Sequence, residues 1–385
     1  MKVLLSLIKR EFSFIKNQSA LVAILFIAPI AYGLFYGSVY FHKAEKEVGI
    51  VIVDQDNTNL SRNLARQIDA HPLVAVRQVF RDVEDARSEL SSFNAYGVLV
   101  IPREFQNSLQ HGAQAHVALN LNAGRFLIAN DVNRAVNEVV GTMNAGIRLR
   151  SFQAQGKPYE QALALAAPIT ADVRPMFNVA DNYGNFFLPG LFMMIWQQTL
   201  LIAFVVSMAN EREAARWPKL YQQSKNNIAS MLFGKSALYI ALFMLYSVVY
   251  FALLFQIFSL PFDCNIPALV ILMLLHLAAI IAFAIFVGTF FKHKTTALQL
   301  MAISTYPIFL ISGFSWPKFA MPASIQFVAN CLPTTPFLAA MVRTTQMNAG
   351  VQHIWPELLH LLVLLSIFTV LSVLRIKALV TQNQK

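Results

Sequence analysis

The chain has 385 residues, 56% of them hydrophobic and only 13% charged, about half the charge of an ordinary soluble domain. A soluble enzyme, a disordered chain and a coiled coil are disfavoured together. The 30 Lys/Arg against 20 Asp/Glu give a net charge of +10, a balance that suits nucleic acid or an anionic membrane. Its distribution chooses the membrane. Residues 42–185 hold 14 basic and 15 acidic side chains, while the rest of the chain holds 16 basic and 5 acidic. The excess therefore travels with apolar segments, and nucleic acid is not an expected partner.

Residues 1–20 place Val3, Leu4, Leu7, Ile8, Phe12 and Ile15 beside Lys9, Arg10 and Lys16, the pattern of an interfacial amphipathic helix. It is either a docking element or a plain membrane anchor. Residues 21–40 are uncharged and long enough to cross the hydrocarbon core, which takes about 20 residues. This apolar run exceeds that of a signal peptide and no A-x-A site follows it, so an uncleaved anchor is expected.

Residues 41–185 read as an α/β domain. Strands are expected at 48–53 (VGIVIV), 73–80, 96–101 (YGVLVI, stopped by Pro102) and 117–121, and helices at 60–70, 83–90, 104–109 and 131–152, an alternation that argues for a sheet covered by helices. Asp54 and Asp56 read as a turn and helix cap rather than paired carboxylates. His111 and His116 are off metal-ligand spacing.

Further spans are expected at 186–209, 236–260, 266–291, 295–313 and 358–374, six in all. Basic residues mark cytoplasmic flanks. Lys2, Lys9, Arg10, Lys16, Arg212, Arg216, Lys219, Lys225, Lys235, Lys292, Lys294, Arg375, Lys377 and Lys385 fall on one side, and only Lys318 and Arg343 on the other. Both termini are thus expected in the cytoplasm. Residues 314–345 carry Pro317, Pro322, Pro333 and Pro336 and read as a re-entrant outer hairpin. Cys264 and Cys331 both fall on the outer side, and their pairing is left open.

No engine is visible. The only G-K-S, at Gly234, Lys235 and Ser236, has Ala229 where a P-loop needs its first glycine, so Lys235 reads as an interfacial anchor and ATP binding is not expected. The intramembrane ionisable candidates are His276, Glu357 and His360. A neutral His276 bonded to a helix carbonyl is the reading for the first, and the inventory of a proton-driven transporter is lacking.

This layout resembles the type-2 permease subunits of ATP-binding-cassette (ABC) exporters, in particular the bacterial subgroup with a large periplasmic domain between spans one and two. The residues that carry the resemblance are the opening IKREFSFIK (8–16), VGIVIVDQDNTNLSR (48–62), the E-R-E of Glu211, Arg212 and Glu213, and the outer segment with Ser312-Gly313-Phe314, Trp316-Pro317, Met321-Pro322 and LPTTP (332–336). Residues 214–221 (AARWPKLY) depart from the family's usual Gly-Thr and acidic residue.

The resemblance implies an α-helical integral membrane protein of the bacterial inner membrane, with six transmembrane helices and an extracytoplasmic α/β domain inserted between helices 1 and 2. It is not an enzyme on its own. ATP and Mg would be used by a partner ABC ATPase, and a second permease subunit would complete the pore. A periplasmic adaptor is a further partner the layout allows, and membrane lipid surrounds it.

The coupling loop 210–228 would dock the ATPase through Glu211, Arg212, Glu213, Arg216 and Trp217. The translocation path would be lined by Met193, Met194, Trp196, Gln197, Gln198, Gln299, Thr305 and Tyr306. Such side chains suit varied amphiphiles because they repack; they equally suit bonding between helices, and the sequence leaves the two open. The expected function is ATP-driven outward movement of a drug-like or lipid-like amphiphile or an envelope component. A membrane-anchored envelope scaffold is the alternative from another class, and a proton-driven transporter the weaker one.

Overall fold

The computed structural model describes residues 2–43 and 45–382; Met1, Ala44 and residues 383–385, Lys385 of the cations above among them, lie outside the described residues. The chain divides into two compact units, Met1–Lys43 with Pro175–Lys385, and Ala44–Arg174.

The first unit is helical. Among the described residues, five helices are long and apolar enough to cross a membrane: Ser19–Val39, Tyr183–Glu213, Ile228–Ile257, Ile266–Gly288 and Trp355–Thr381. The expected fifth span at 295–313 is an 18-residue helix, Lys294–Ile311, that is not among them. Lys294, Gln299, Ser304, Thr305 and Tyr306 dilute its apolar content. A bent pair, Ala323–Asn330 and Thr334–Gln346, turns by 79° at a short break, the form of a broken span or of the re-entrant hairpin expected here, and brings the number to six if counted as one span. Pro333 lies in that break, where its ring disfavours a continuous helix.

Tyr183–Glu213 is the central helix and is buried over most of its length. Proline within a span frees the carbonyl four residues earlier, which must find a donor where no water reaches. Two such carbonyls are served by side chains from other helices. Pro29 leaves Leu25 O, which accepts from Tyr246 OH at 2.7 Å; Pro189 leaves Asn185 O, which accepts from Gln346 Nε2 at 3.4 Å. Tyr250 OH adds a bond to Pro29 O at 2.5 Å.

The second unit carries a four-stranded sheet in the order β2-β1-β3-β4, with β1 at Val48–Asp54, β2 at Val74–Phe80, β3 at Gly97–Ile101 and β4 at Ala118–Leu121. β1 runs parallel to β2 and β3, and β4 closes the edge antiparallel to β3. β1 is buried along its whole length. Val48, Ile50 and Ile52 pack with Leu64, Ile68, Val132 and Val136, while Val51 and Val53 pack with Ala86 on the other face. Coverage on both faces is why VGIVIV lacks polar alternation.

The turn after β1 is built by Asp54, whose carboxylate accepts from Asp56 N at 3.1 Å, Asn57 N at 2.8 Å and Ser61 Oγ at 2.7 Å. Thr58 and Ser61 form a reciprocal capping box on helix Asn59–Asp69. Helix Tyr159–Ala166, which buries Ala162 and Ala166, has no counterpart in the expected elements.

Candidate functional site

Helix α1 (Lys2–Lys16) turns one stripe inward, Leu7, Glu11 and Ile15, all buried. These positions recur every four residues, so they share one face. The middle one is a carboxylate, and Glu11 is only 3% exposed. An ion so placed costs several kcal/mol in desolvation unless it is paired.

Its partner comes from the third long helix: Lys235 Nζ lies 2.6 Å from Glu11 Oε2 and 3.1 Å from Glu211 Oε1. Glu211 also receives Arg10 Nη2 at 2.5 Å. Tyr239 OH donates to Glu11 Oε1 at 2.8 Å, and Ser207 Oγ donates to the same oxygen. Two carboxylates thus meet two cations, with Glu211 and Lys235 also nearly fully buried. The knot ties α1, the end of the central helix and the start of Ile228–Ile257, whose members are up to 228 residues apart in sequence.

Lys235 is therefore not the interfacial anchor the sequence suggested; its ammonium points inward to two carboxylates. The G-K-S gains a different meaning. A Cβ on Gly234 would lie 2.5 Å from Leu7 Cδ1 and 2.9 Å from Leu7 Cβ, so glycine is what lets α1 approach closely enough for Glu11 to reach Lys235.

The five residues expected to meet an ATPase divide. Glu211 and Trp217 are buried and hold the loop in place from within. Arg212 Nη1 bonds Thr289 O at 2.7 Å and Phe290 O at 2.8 Å, capping the end of Ile266–Gly288. Glu213 accepts from Lys294 N at 2.8 Å, an anion at the positive end of Lys294–Ile311. Glu213 and Arg216 are exposed.

The path candidates divide as well. Met193, Met194, Trp196, Gln197 and Gln198 are buried inside the chain. Trp196 Nε1 donates to Phe243 O at 3.1 Å, Gln197 Nε2 to Thr334 Oγ1 at 2.6 Å, and Gln198 Nε2 to Met301 O at 2.7 Å. These three bond helices together. By contrast Gln299 and Tyr306 are exposed, and Thr305 is half-buried; with Ile303 they present an open face of Lys294–Ile311, Ile303 and Tyr306 being 70% and 69% exposed.

His276 makes no hydrogen bond to a helix carbonyl. Both ring nitrogens lack a partner among the described residues, and the ring stacks on Phe337 with centroids 3.7 Å apart. His360 bonds Asn330 O at 2.8 Å, and Glu357 pairs with Arg343. Cys264 and Cys331 are both free thiols.

Sequence reasoning missed Glu11, Arg10, Ser207 and Tyr239. One signal was available: Glu11 is the only acidic residue before Glu45, and it interrupts an apolar stripe.

Residues 19–374 match the family described as ABC-2 family transporter protein, and the chain belongs to that family. Its members are transport permeases, which generally work with a separate ATPase subunit and are not enzymes themselves. The chain is 22% identical over 331 residues to the inner membrane transport permease YhhJ of Escherichia coli K12, covering 85% of this chain and 84% of that protein. It is 22% identical over 355 residues to the linearmycin resistance permease protein LnrN of Bacillus subtilis 168, covering 86% and 88%. Over 317 residues it is 21% identical to the probable multidrug ABC transporter permease YbhR of Escherichia coli K12, covering 82% of each. Together with the apolar helices, this makes the chain a multi-pass permease of the bacterial inner membrane.

Proposed function

We propose that this chain is the membrane half of an ATP-driven exporter that moves an amphiphilic, drug-like or lipid-like molecule outward. A separate ATPase supplies the energy, unit Ala44–Arg174 lies in the periplasm between the first two spans, and both termini are cytoplasmic. The asymmetry of the cations supports this orientation, because fourteen of the sixteen outside residues 42–185 share one side. The names of LnrN and YbhR, a linearmycin resistance permease and a probable multidrug permease, support the cargo class.

The observation that carries the reading is the buried knot of Glu11, Lys235, Glu211 and Arg10. It makes α1 and the loop after the central helix one body, so a push on the exposed Glu213, Arg216 and Lys219 moves three helices together. A second permease copy meets the open face of Lys294–Ile311, where Leu300, Ile303, Tyr306 and Leu310 stand exposed.

The test is reconstitution of the chain with its ATPase in proteoliposomes. ATP hydrolysis stimulated by an amphiphile is expected. Arg216→Glu should cut ATPase association while the unfolding temperature of the permease stays unchanged. Transport by the isolated chain, driven by a proton gradient, overturns the reading.

A further inference from the structure

A cleft of about 740 Å³ opens between Ile228–Ile257, Ile266–Gly288 and the last long helix, within the range of built ligand sites. Its body is apolar, walled by Ile240, Ala278, Ile281, Ile285, Leu365 and Val373. Its polar lining residues are Tyr221, Asn226, Asn227 and Lys377, with the hydroxyls of Ser236 and Thr369 further along the walls. The ammonium of Lys377 has no ion-pair partner among the described residues, and it lines the same cleft as Ile228 and Ala229 of the first helical turn. Asn227 caps Ser230 N there, and the positive end of the helix favours an anion.

The dimensions are those of one leaflet. The walls run from Ile228 to Ile240 and from Leu365 to Lys377, twelve steps each, or about 18 Å at the helical rise. Half of the hydrocarbon core is about 15 Å. We infer that the cleft holds one anionic phospholipid of the inner leaflet, an acyl chain along the apolar walls and its phosphate at Lys377 and Asn227. A zwitterionic lipid fits the same slot, but its added cation meets Lys377 unfavourably, so the charge selects the anion. Loop 221–227 precedes the helix that carries Lys235, so this lipid braces the segment proposed above to meet the ATPase.

The experiment uses the full-length protein in vesicles of phosphatidylglycerol and phosphatidylcholine at equal ratio, followed by native mass spectrometry of retained lipid. One phosphatidylglycerol is expected to remain in preference to phosphatidylcholine. Lys377→Ala, a change at an exposed position, should lower its retention about fivefold, the effect of removing one lysine near an anionic headgroup. Ala278→Phe should displace the lipid by filling the slot, and a failure of that variant to fold leaves Lys377→Ala to decide.

Equal retention of the two lipids, or wild-type retention in Lys377→Ala, overturns the inference, as does displacement of the bound molecule by transported cargo. The inner-leaflet address rests on the orientation proposed above. Labelling of Lys377→Cys from the periplasmic side would refute that orientation, whereas equal retention of the two lipids by the wild-type protein, with Lys377→Cys labelled from the cytoplasm, refutes the lipid site alone.

Discussion

Replacing Lys235 by methionine keeps the volume of the side chain and removes its charge. Glu211 keeps Arg10, but Glu11 keeps only the hydroxyls of Tyr239 and Ser207, so the knot passes from neutral to a net buried negative charge. Breaking a buried pair from one side costs about 3–5 kcal/mol, because the surviving ion is left uncompensated. Adding Glu11→Gln restores neutrality, since Glu211 and Arg10 then balance each other. The double variant should lie above the sum of the two single changes by about 1–3 kcal/mol. Thermal unfolding in detergent, followed by the fluorescence of the buried Trp196 and Trp217, gives the order: Lys235→Met lowest, the double variant above it, the wild type highest. A Lys235→Met protein as stable as wild type, or a double variant at or below it, refutes the reasoning.

Three further outcomes follow from single sites. Gly234→Ala forces its new methyl against Leu7 and should cost about 1–3 kcal/mol by overpacking; Leu7→Ala in the same chain should restore part of it, measured by the same unfolding midpoint. Burial and the neighbouring Asp263 carboxylate push the Cys264 thiol up to about 11. In a Cys331→Ser protein, maleimide labelling should therefore be slow at neutral pH and rise about tenfold per pH unit toward pH 10 as thiolate forms; fast labelling at pH 7 contradicts this. Asp54→Ala strips the acceptor from two backbone N–H groups and Ser61. It should destabilise unit Ala44–Arg174 by about 1–3 kcal/mol, read as faster proteolysis within residues 44–174 of the full chain, with Asp54→Asn affected less.

Much of the frame was legible because it depends on local sums. Hydropathy over twenty residues marks Ser19–Val39 or Ile266–Gly288 wherever they end up, and VGIVIV declares a strand covered on both faces. The boundaries followed caps and breakers such as Thr58 and Pro102. The same averaging is weakest at 295–313, where seven polar side chains sit in a helix of only 18 residues. The prolines of 314–345, read as marking a re-entrant hairpin, fall in a segment whose helix pair is bent by 79°.

The partition of charge, the long helices and the alternation in the second unit belong to the sequence alone, since each is set by neighbours within a turn or two of chain. Only the tertiary structure decided what the polar residues of the helices do. Gln197, Gln198 and Trp196 bond other helices, while Tyr306 turns outward, and no periodicity separates those fates. Lys235 and Glu11 are 224 positions apart. Each alone reads as a residue for the membrane surface, because a single ion in an apolar setting is unfavourable. Brought within 2.6 Å, they balance one another, and a lysine that looked like an anchor becomes the centre of the knot.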